Sequence, residues 1–144
     1  MLIYLDNCCF NRPFDDQLQI KIRLETEAKL VIQDRIKIGD FSLAWSYILD
    51  YENSENPFPE RKETIHCWRE FASTDTDESD LILEIAEILH KMGIKAKDAL
   101  HVACAVIQKC DYFITTDRFL IKKLVKFEKI KVVNPLDFVL MFDK

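Results

Sequence analysis

Short apolar runs alternate along this chain with longer helical stretches, and that alternation restricts the fold more than any other feature. Leu2–Leu5, Phe41–Trp45, Tyr112–Thr115 and Ile130–Val133 have the length of strands, and their near-continuous apolar character suits burial on both faces. Helical periodicity fills the intervals between them. Strands separated by helices connect in parallel, so the expected class is α/β with a central parallel sheet of four or five strands. The chain has 144 residues, the usual size of one domain, and carries no linker, repeat or low-complexity tract. Residues 1–144 therefore read as a single domain.

The first helix is expected from Gln17 to Ile38, with Ile20, Leu24, Ala28 and Val31 towards one face and Gly39 as its stop signal. Ser46 is a natural N-cap for a short helix running to about Asn53. After the break at Asn56-Pro57-Phe58-Pro59, a helix is predicted to Phe71. Leu81, Ile85, Ile88 and Leu89 mark an amphipathic helix that ends near Gly93. Ala99, Val102, Ala103 and Val106 are core positions of another, from Ala96 to Lys109. Phe119, Leu120, Leu124 and Phe127 predict a further helix, and 135–142 a terminal one. Residues 7–16 and the polar run Ser73–Ser79 read as loops.

Composition removes several function classes. With only 2 glycines the chain has no room for a Gly-rich phosphate loop, and no GxGxxG or Walker-type run occurs. A net charge of −5 repels nucleic acid at long range, so such a ligand needs local basic patches or bound cations. The 5 cysteines, Cys8, Cys9, Cys67, Cys104 and Cys110, form no CxxC pair and read as reduced thiols, which implies a cytoplasmic protein. No run approaches membrane-spanning length, so no membrane partner is expected.

Four acids stand where such a fold would bring them together. Asp6 closes the first strand and Asp117 follows the third. Asp98 opens a helix, and Glu52 sits on the short helix after the second strand. Ligands of open α/β sheets bind at the carboxyl ends of the strands. Two like charges about 4 Å apart repel by roughly 4 kcal/mol at an effective dielectric near 20, so a converging set must take up protons or bind a cation. Oxygen-only ligands suit Mg²⁺ or Mn²⁺, and neither the cysteines nor His66, His90 and His101 have a zinc spacing. Taken one at a time, each acid could equally be a turn or helix cap.

Three segments, Ile3-Tyr4-Leu5-Asp6-Asn7, Lys97-Asp98-Ala99-Leu100-His101-Val102-Ala103 and Phe113-Ile114-Thr115-Thr116-Asp117, resemble the motifs of the PIN domains in order and spacing. Residues 5–17 resemble one prokaryotic subgroup, the VapC-like toxin ribonucleases. The resemblance spans nearly the whole chain. It implies a three-layer α/β/α domain and a metal-dependent endoribonuclease that cuts RNA to 5′-phosphate and 3′-hydroxyl ends. It also implies that Asp6, Glu52, Asp98 and Asp117 hold one or two Mg²⁺ or Mn²⁺ ions, with Thr115 and Thr116 shaping the turn. Asp50 competes with Glu52 for the second acid, on a different face of its helix. The implied partners are RNA, a protein antitoxin whose tail covers the acidic pocket, and a second copy of the chain in a homodimer.

Arg12 and Thr116 are candidate substrate contacts. The basic residues from Arg118 to Lys131 could meet phosphates, although such a stretch is more often a solvated face. His101, one helical turn beyond Asp98, reads as a structural polar contact, and Trp45 and Trp68 read as core residues. Two rival functions are a phosphatase with Asp6 as nucleophile and a catalytically silent binding module of PIN type. The first is weakened by Cys8, which stands where haloacid-dehalogenase-like enzymes carry a second aspartate.

Overall fold

The computed structural model describes residues 1–142; Asp143 and Lys144, the last two positions of the expected domain, lie outside the described residues. Five parallel strands form one sheet in the order β3-β2-β1-β4-β5: β1 Leu2–Leu5, β2 Ser42–Ala44, β3 Ala72–Thr74, β4 Tyr112–Ile114 and β5 Lys131–Val133. The helices are α1 Asn7–Asn11, α2 Ile20–Lys37, α3 Tyr47–Ser54, α4 Pro59–Cys67, α5 Asp80–Lys91, α6 Ala96–Ile107, α7 Arg118–Lys123 and α8 Pro135–Phe142. The α/β class and the parallel sheet flanked by helices are as expected. None of the described helices is long and apolar enough to cross a membrane.

The strand order places the site. β1 is central, pairing Ile3 with Leu43 of β2 on one side and with Tyr112 of β4 on the other. The chain first builds outward from β1 through β2 to β3, then crosses back through α5 and α6 to β4. The direction of building reverses between β1 and β4, and in open sheets such a switch point leaves a crevice outside the carboxyl ends of the two strands. Asp6 follows β1 and Thr115-Thr116-Asp117 follows β4, so both acids lie at that crevice.

The local signals that held are caps and stops. Ser46 and Ser79 accept hydrogen bonds from Leu49 N and Ile82 N, both at 3.3 Å, and start α3 and α5. Gly39 (φ +89°) ends α2, in a left-handed conformation that side chains resist. Lys109 takes the same region without being glycine (φ +60°) as the chain leaves α6.

Several sequence expectations shift. β3 lies where a loop was expected. It is a short edge strand, Ala-Ser-Thr, with no apolar alternation to reveal it, and part of its anchorage is Thr74 Oγ1 donating to Gln108 Oε1 at 2.9 Å. Residues 7–16 are not all loop. α1 starts at once after Asp6, and a 3-10 turn covers Arg12–Phe14. The fourth helix ends at Cys67 and tightens to a 3-10 turn over Trp68–Phe71. α7 stops at Lys123, and α2 starts at Ile20.

Two helices turn a different face inward. In α2 the exposed residues include Ile20, Leu24 and Val31, whereas Glu25, Lys29, Gln33 and Ile36 are buried with Ala28 and Ile32. The two buried charges find partners, whereas Gln33 Nε2 has none among the described residues. Glu25 accepts from Arg12 Nε at 3.1 Å and from Asn134 Nδ2 at 2.8 Å, and Lys29 Nζ lies 5.5 Å from the Phe10 ring centroid. In α5 the buried residues are Ile82, Ala86 and Leu89, while Leu81 and Ile88 face solvent. Helix α6 follows expectation, with Ala99, Val102 and Ala103 buried, and Trp45 and Trp68 are core residues.

Candidate active site

Asp6 is 6% exposed and is held from three directions. Its backbone N donates to Ile114 O at 2.9 Å, extending the β1–β4 ladder by one step and bringing the carboxylate beside Thr115. Oδ2 accepts from Thr115 Oγ1 at 2.8 Å, and Oδ1 accepts from Asn7 N at 2.8 Å as the N-cap of α1. The thiol of Cys8 lies 3.5 Å from both Asp6 Oδ2 and Thr115 Oγ1, and Thr116 N points at its sulfur at 3.4 Å. A thiol, and not a second carboxylate, therefore stands beside Asp6.

Glu52 is anchored from below. His101, fully buried on α6, donates from Nε2 to Glu52 Oε1 at 2.5 Å, and Asn7 Nδ2 donates to Oε2 at 3.2 Å. An ionised carboxylate only accepts, so the hydrogen must sit on His101 Nε2. The other ring nitrogen, Nδ1, lies 2.6 Å from Tyr4 Oη, which lies 2.6 Å from Ser46 Oγ. A buried chain of polar groups thus runs from the N-cap of α3 through β1 and α6 to the acid. His101 is the structural polar contact expected of it, and its Nε2 is also 3.9 Å from Asp6 Oδ1.

The choice between Glu52 and Asp50 follows from partners. Asp50 accepts from Trp45 Nε1 at 2.9 Å and pairs with Arg69 at 3.4 Å. Glu52 faces Asn7 and His101 beside Asp6.

Asp98 stands half-buried in the first turn of α6. Burial, then the charges of Asp6 and Asp117, and to a lesser degree Glu52, push its carboxyl up to about 6 against the opposing pull of His101. Asp117 caps α7, with Oδ1 accepting from Phe119 N at 2.9 Å and from Leu120 N at 3.2 Å. The other three acids named from the sequence therefore all act on Asp98. Among the described residues, however, no three His, Cys, Asp or Glu side chains stand close enough to hold one ion between them. Like charges keep such side chains apart. The donor chemistry, carboxylate oxygen throughout, fits a hard divalent cation.

Arg12 is engaged elsewhere. It pairs with Asp15 at 2.9 Å and with buried Glu25 at 3.1 Å, tying the turn after α1 to α2. Thr116 is buried, and its backbone N faces Cys8 Sγ. Sequence reasoning missed Asn7, Tyr4 and Ser46 as parts of the site. An apolar strand hides the role of Tyr4, and only the pairing of β1 with its neighbours brings Ser46 to it.

The shifted groups predict a pH profile of stability. Burial works to raise Glu52, but the hydrogen bond and charge of His101, with Lys97 and Asn7, hold it below the usual carboxylate range. That contribution is present above about pH 4.5 and is lost as pH falls through the lowered value. Burial disfavours a charged His101, yet Glu52, Asp6 and Asp98 raise it overall. Its contribution is complete below about pH 6.5 and is lost as pH rises through the raised value. Asp98 has the opposite sense. Its penalty is full above about 6 and is relieved as pH falls towards 3.8. Urea melts without divalent cations should therefore show greatest stability between about pH 4.5 and 6.5. A profile that rises steadily to pH 8 would contradict this arrangement.

Comparison with known proteins gives a likeness of shape. No protein-family model matches the chain, and no curated protein matches it. Among solved structures, FitAcB from Neisseria gonorrhoeae superposes with a TM-score of 0.59 at 16% identity, covering 92% of this chain and 97% of that one. VapBC2 from Rickettsia felis, bound to a DNA fragment from their promoter, gives 0.57 at 16% identity, covering 93% and 98%. At that identity the likeness is one of fold, and with its five parallel strands flanked by helices this chain has the PIN-like fold of those structures.

Proposed function

We propose that this chain is a divalent-metal-dependent endoribonuclease and the toxin of a toxin–antitoxin pair. The observation that carries the reading is Asp98: a half-buried carboxyl driven up to about 6 by burial and by the other three acids, at the switch point of the sheet. Perturbed carboxylates gathered in a crevice mark functional sites more often than structural ones. The fold adds support, since the similar solved structures are toxin–antitoxin complexes.

Asp6, Glu52, Asp98 and Asp117 would hold Mg²⁺ or Mn²⁺, which in such a site supplies activation of water and neutralisation of phosphodiester charge. The chain's own residues set the positions. Thr115, Cys8 and Asn7 fix the orientation of the Asp6 carboxylate, and its Oδ1, which accepts from Asn7 N alone among the described residues, keeps an unused lone pair. His101 and Asn7 do the same for Glu52, and Tyr4 and Ser46 lock the His101 ring. These partners fix the Asp6 and Glu52 side chains, as the supporting residues of metal sites do. Because a positioned water and not the ribose 2′-hydroxyl is the nucleophile, products should carry 5′-phosphates.

The test is incubation of the purified protein with mixed single-stranded and hairpin RNA in Mn²⁺. Cleavage that requires Mn²⁺, stops with EDTA and leaves 5′-phosphate ends is the expected result. RNA left intact in Mn²⁺, or cut equally well in EDTA, would sink the reading. A protein antitoxin with a basic tail is the partner that the acidic crevice would attract on electrostatic grounds.

A further inference from the structure

Beside Glu52, on the side of Glu55 and Phe58, lies a cleft of about 220 Å³. Asn7 and Glu52 belong both to it and to the candidate active site, so the cleft adjoins the place where a scissile phosphate would lie. We propose that it receives one unpaired nucleobase that bears an exocyclic amine, adenine, cytosine or guanine, next to that phosphate. The proposal rests on the ribonuclease reading above.

The lining selects for a neutral, planar donor. Glu52 and Glu55 both border the cleft, so a phosphate there would face two carboxylates. Arg61 also borders the cleft, with its guanidinium turned to other acceptors. Its Nη2 donates to Phe14 O at 2.7 Å, and Nη1 lies 3.8 Å from Asp15 Oδ1. The guanidinium is instead a stacking group, with its centre 4.4 Å from the Phe58 ring centroid and 5.3 Å from that of Phe14. This holds the Phe58 ring in place at the rim, where the residue is 52% exposed. A fixed, half-open aromatic ring beside a nuclease site is what a splayed-out base stacks on.

The polar lining points the same way. Asn7 Nδ2 donates to the Glu52 carboxylate, which cannot donate in return, so the orientation of the Asn7 amide is settled. Its Oδ1 is then an acceptor, and it is buried with no donor among the described residues. Buried acceptors of this kind call for a partner. Asn56 Nδ2 donates to Asn11 Oδ1 at 3.3 Å, and Asn56 Oδ1 accepts from Phe58 N at 3.1 Å, so these amides are ordered as well. An exocyclic amine brings two hydrogens to a cleft bordered by the Glu52 and Glu55 carboxylates. Uracil brings one imino hydrogen flanked by two carbonyls, and those would face the acids.

The experiment measures binding of short fluorescein-labelled oligoadenylate, oligocytidylate and oligouridylate to the full chain in Ca²⁺ by anisotropy. Cleavage positions in mixed RNA with Mn²⁺ are mapped in parallel. Oligoadenylate and oligocytidylate should bind about fivefold or more tighter than oligouridylate, and cuts should fall beside A, C or G rather than U. Phe58→Ala should weaken binding of the preferred oligomers about tenfold, and Phe58→Trp should restore it. Thermal melts confirm that both variants fold. If the chain cuts RNA in Mn²⁺ yet binds the three oligomers alike, or Phe58→Ala binds as the parent does, the base cleft is wrong and the nuclease stands. If the chain neither binds nor cuts any RNA, both readings fall.

Discussion

Asp98→Asn should lower RNA cleavage by about a thousandfold or more and, in the same protein, raise stability measured without divalent cations by about 1 kcal/mol. The two effects have one cause. The Asp98 carboxyl is displaced from 3.8 to about 6 because burial and the neighbouring acids disfavour its charged form. Two units on a fully shielded group would amount to about 3 kcal/mol, and partial exposure to solvent reduces this to about 1. Asparagine has the same shape without the charge, so the penalty disappears. The gain should be complete above about pH 6 and should vanish below 3.8, where aspartate is protonated in the folded and the unfolded chain alike. Wild type should gain thermal stability on addition of Mn²⁺, and the variant should gain little. Chemical melts with and without Mn²⁺, paired with a cleavage assay, check all three. An inactive variant that is also less stable would mean that Asp98 is a structural cap. A fully active one would remove Asp98 from the mechanism.

His101→Ala should destabilise the fold by about 3–5 kcal/mol. The ring is fully buried, bridging Glu52 and Tyr4 at 2.5 and 2.6 Å. Truncation removes a packed side chain and leaves the Glu52 carboxylate without its Nε2 hydrogen-bond donor. It also leaves the buried Tyr4 hydroxyl with Ser46 alone. Against a typical stability of about 5–15 kcal/mol, that loss brings the chain close to unfolding at physiological temperature. Tyr4→Phe takes away one hydroxyl and should lose about 1–2 kcal/mol. Urea denaturation of the two variants decides the matter. A loss below about 0.5 kcal/mol for His101→Ala would show that the buried chain of hydrogen bonds contributes nothing to holding Glu52.

Strands β1, β2, β4 and β5 could be read in the sequence because each is an apolar run bounded by polar residues. β3 could not, because a half-exposed edge strand carries no such run. Helix positions were legible from caps such as Ser46, and from Gly39 and Gly93. The inward faces of α2 and α5 were not. Apolar residues lie on more than one side of both helices, and periodicity within a helix carries no record of which neighbour it packs against. Glu25 and Lys29 are buried because Arg12, Asn134 and the Phe10 ring meet them from elsewhere in the chain.

The site divides in the same manner. Strand ends and helix starts are local properties, so the places of Asp6, Asp98 and Asp117 at one edge of a parallel sheet follow from the order of residues alone. Which acid on α3 joins them does not, since Asp50 and Glu52 differ only in what lies opposite each of them. Trp45 and Arg69 draw one away, while Asn7 and His101 hold the other. The Tyr4–Ser46 link, the unpaired oxygen of Asn7 and the raised carboxyl of Asp98 likewise exist only once distant segments are packed. Local chemistry sets where a residue sits along its own element, and through-space interaction sets what that residue touches and what charge it bears.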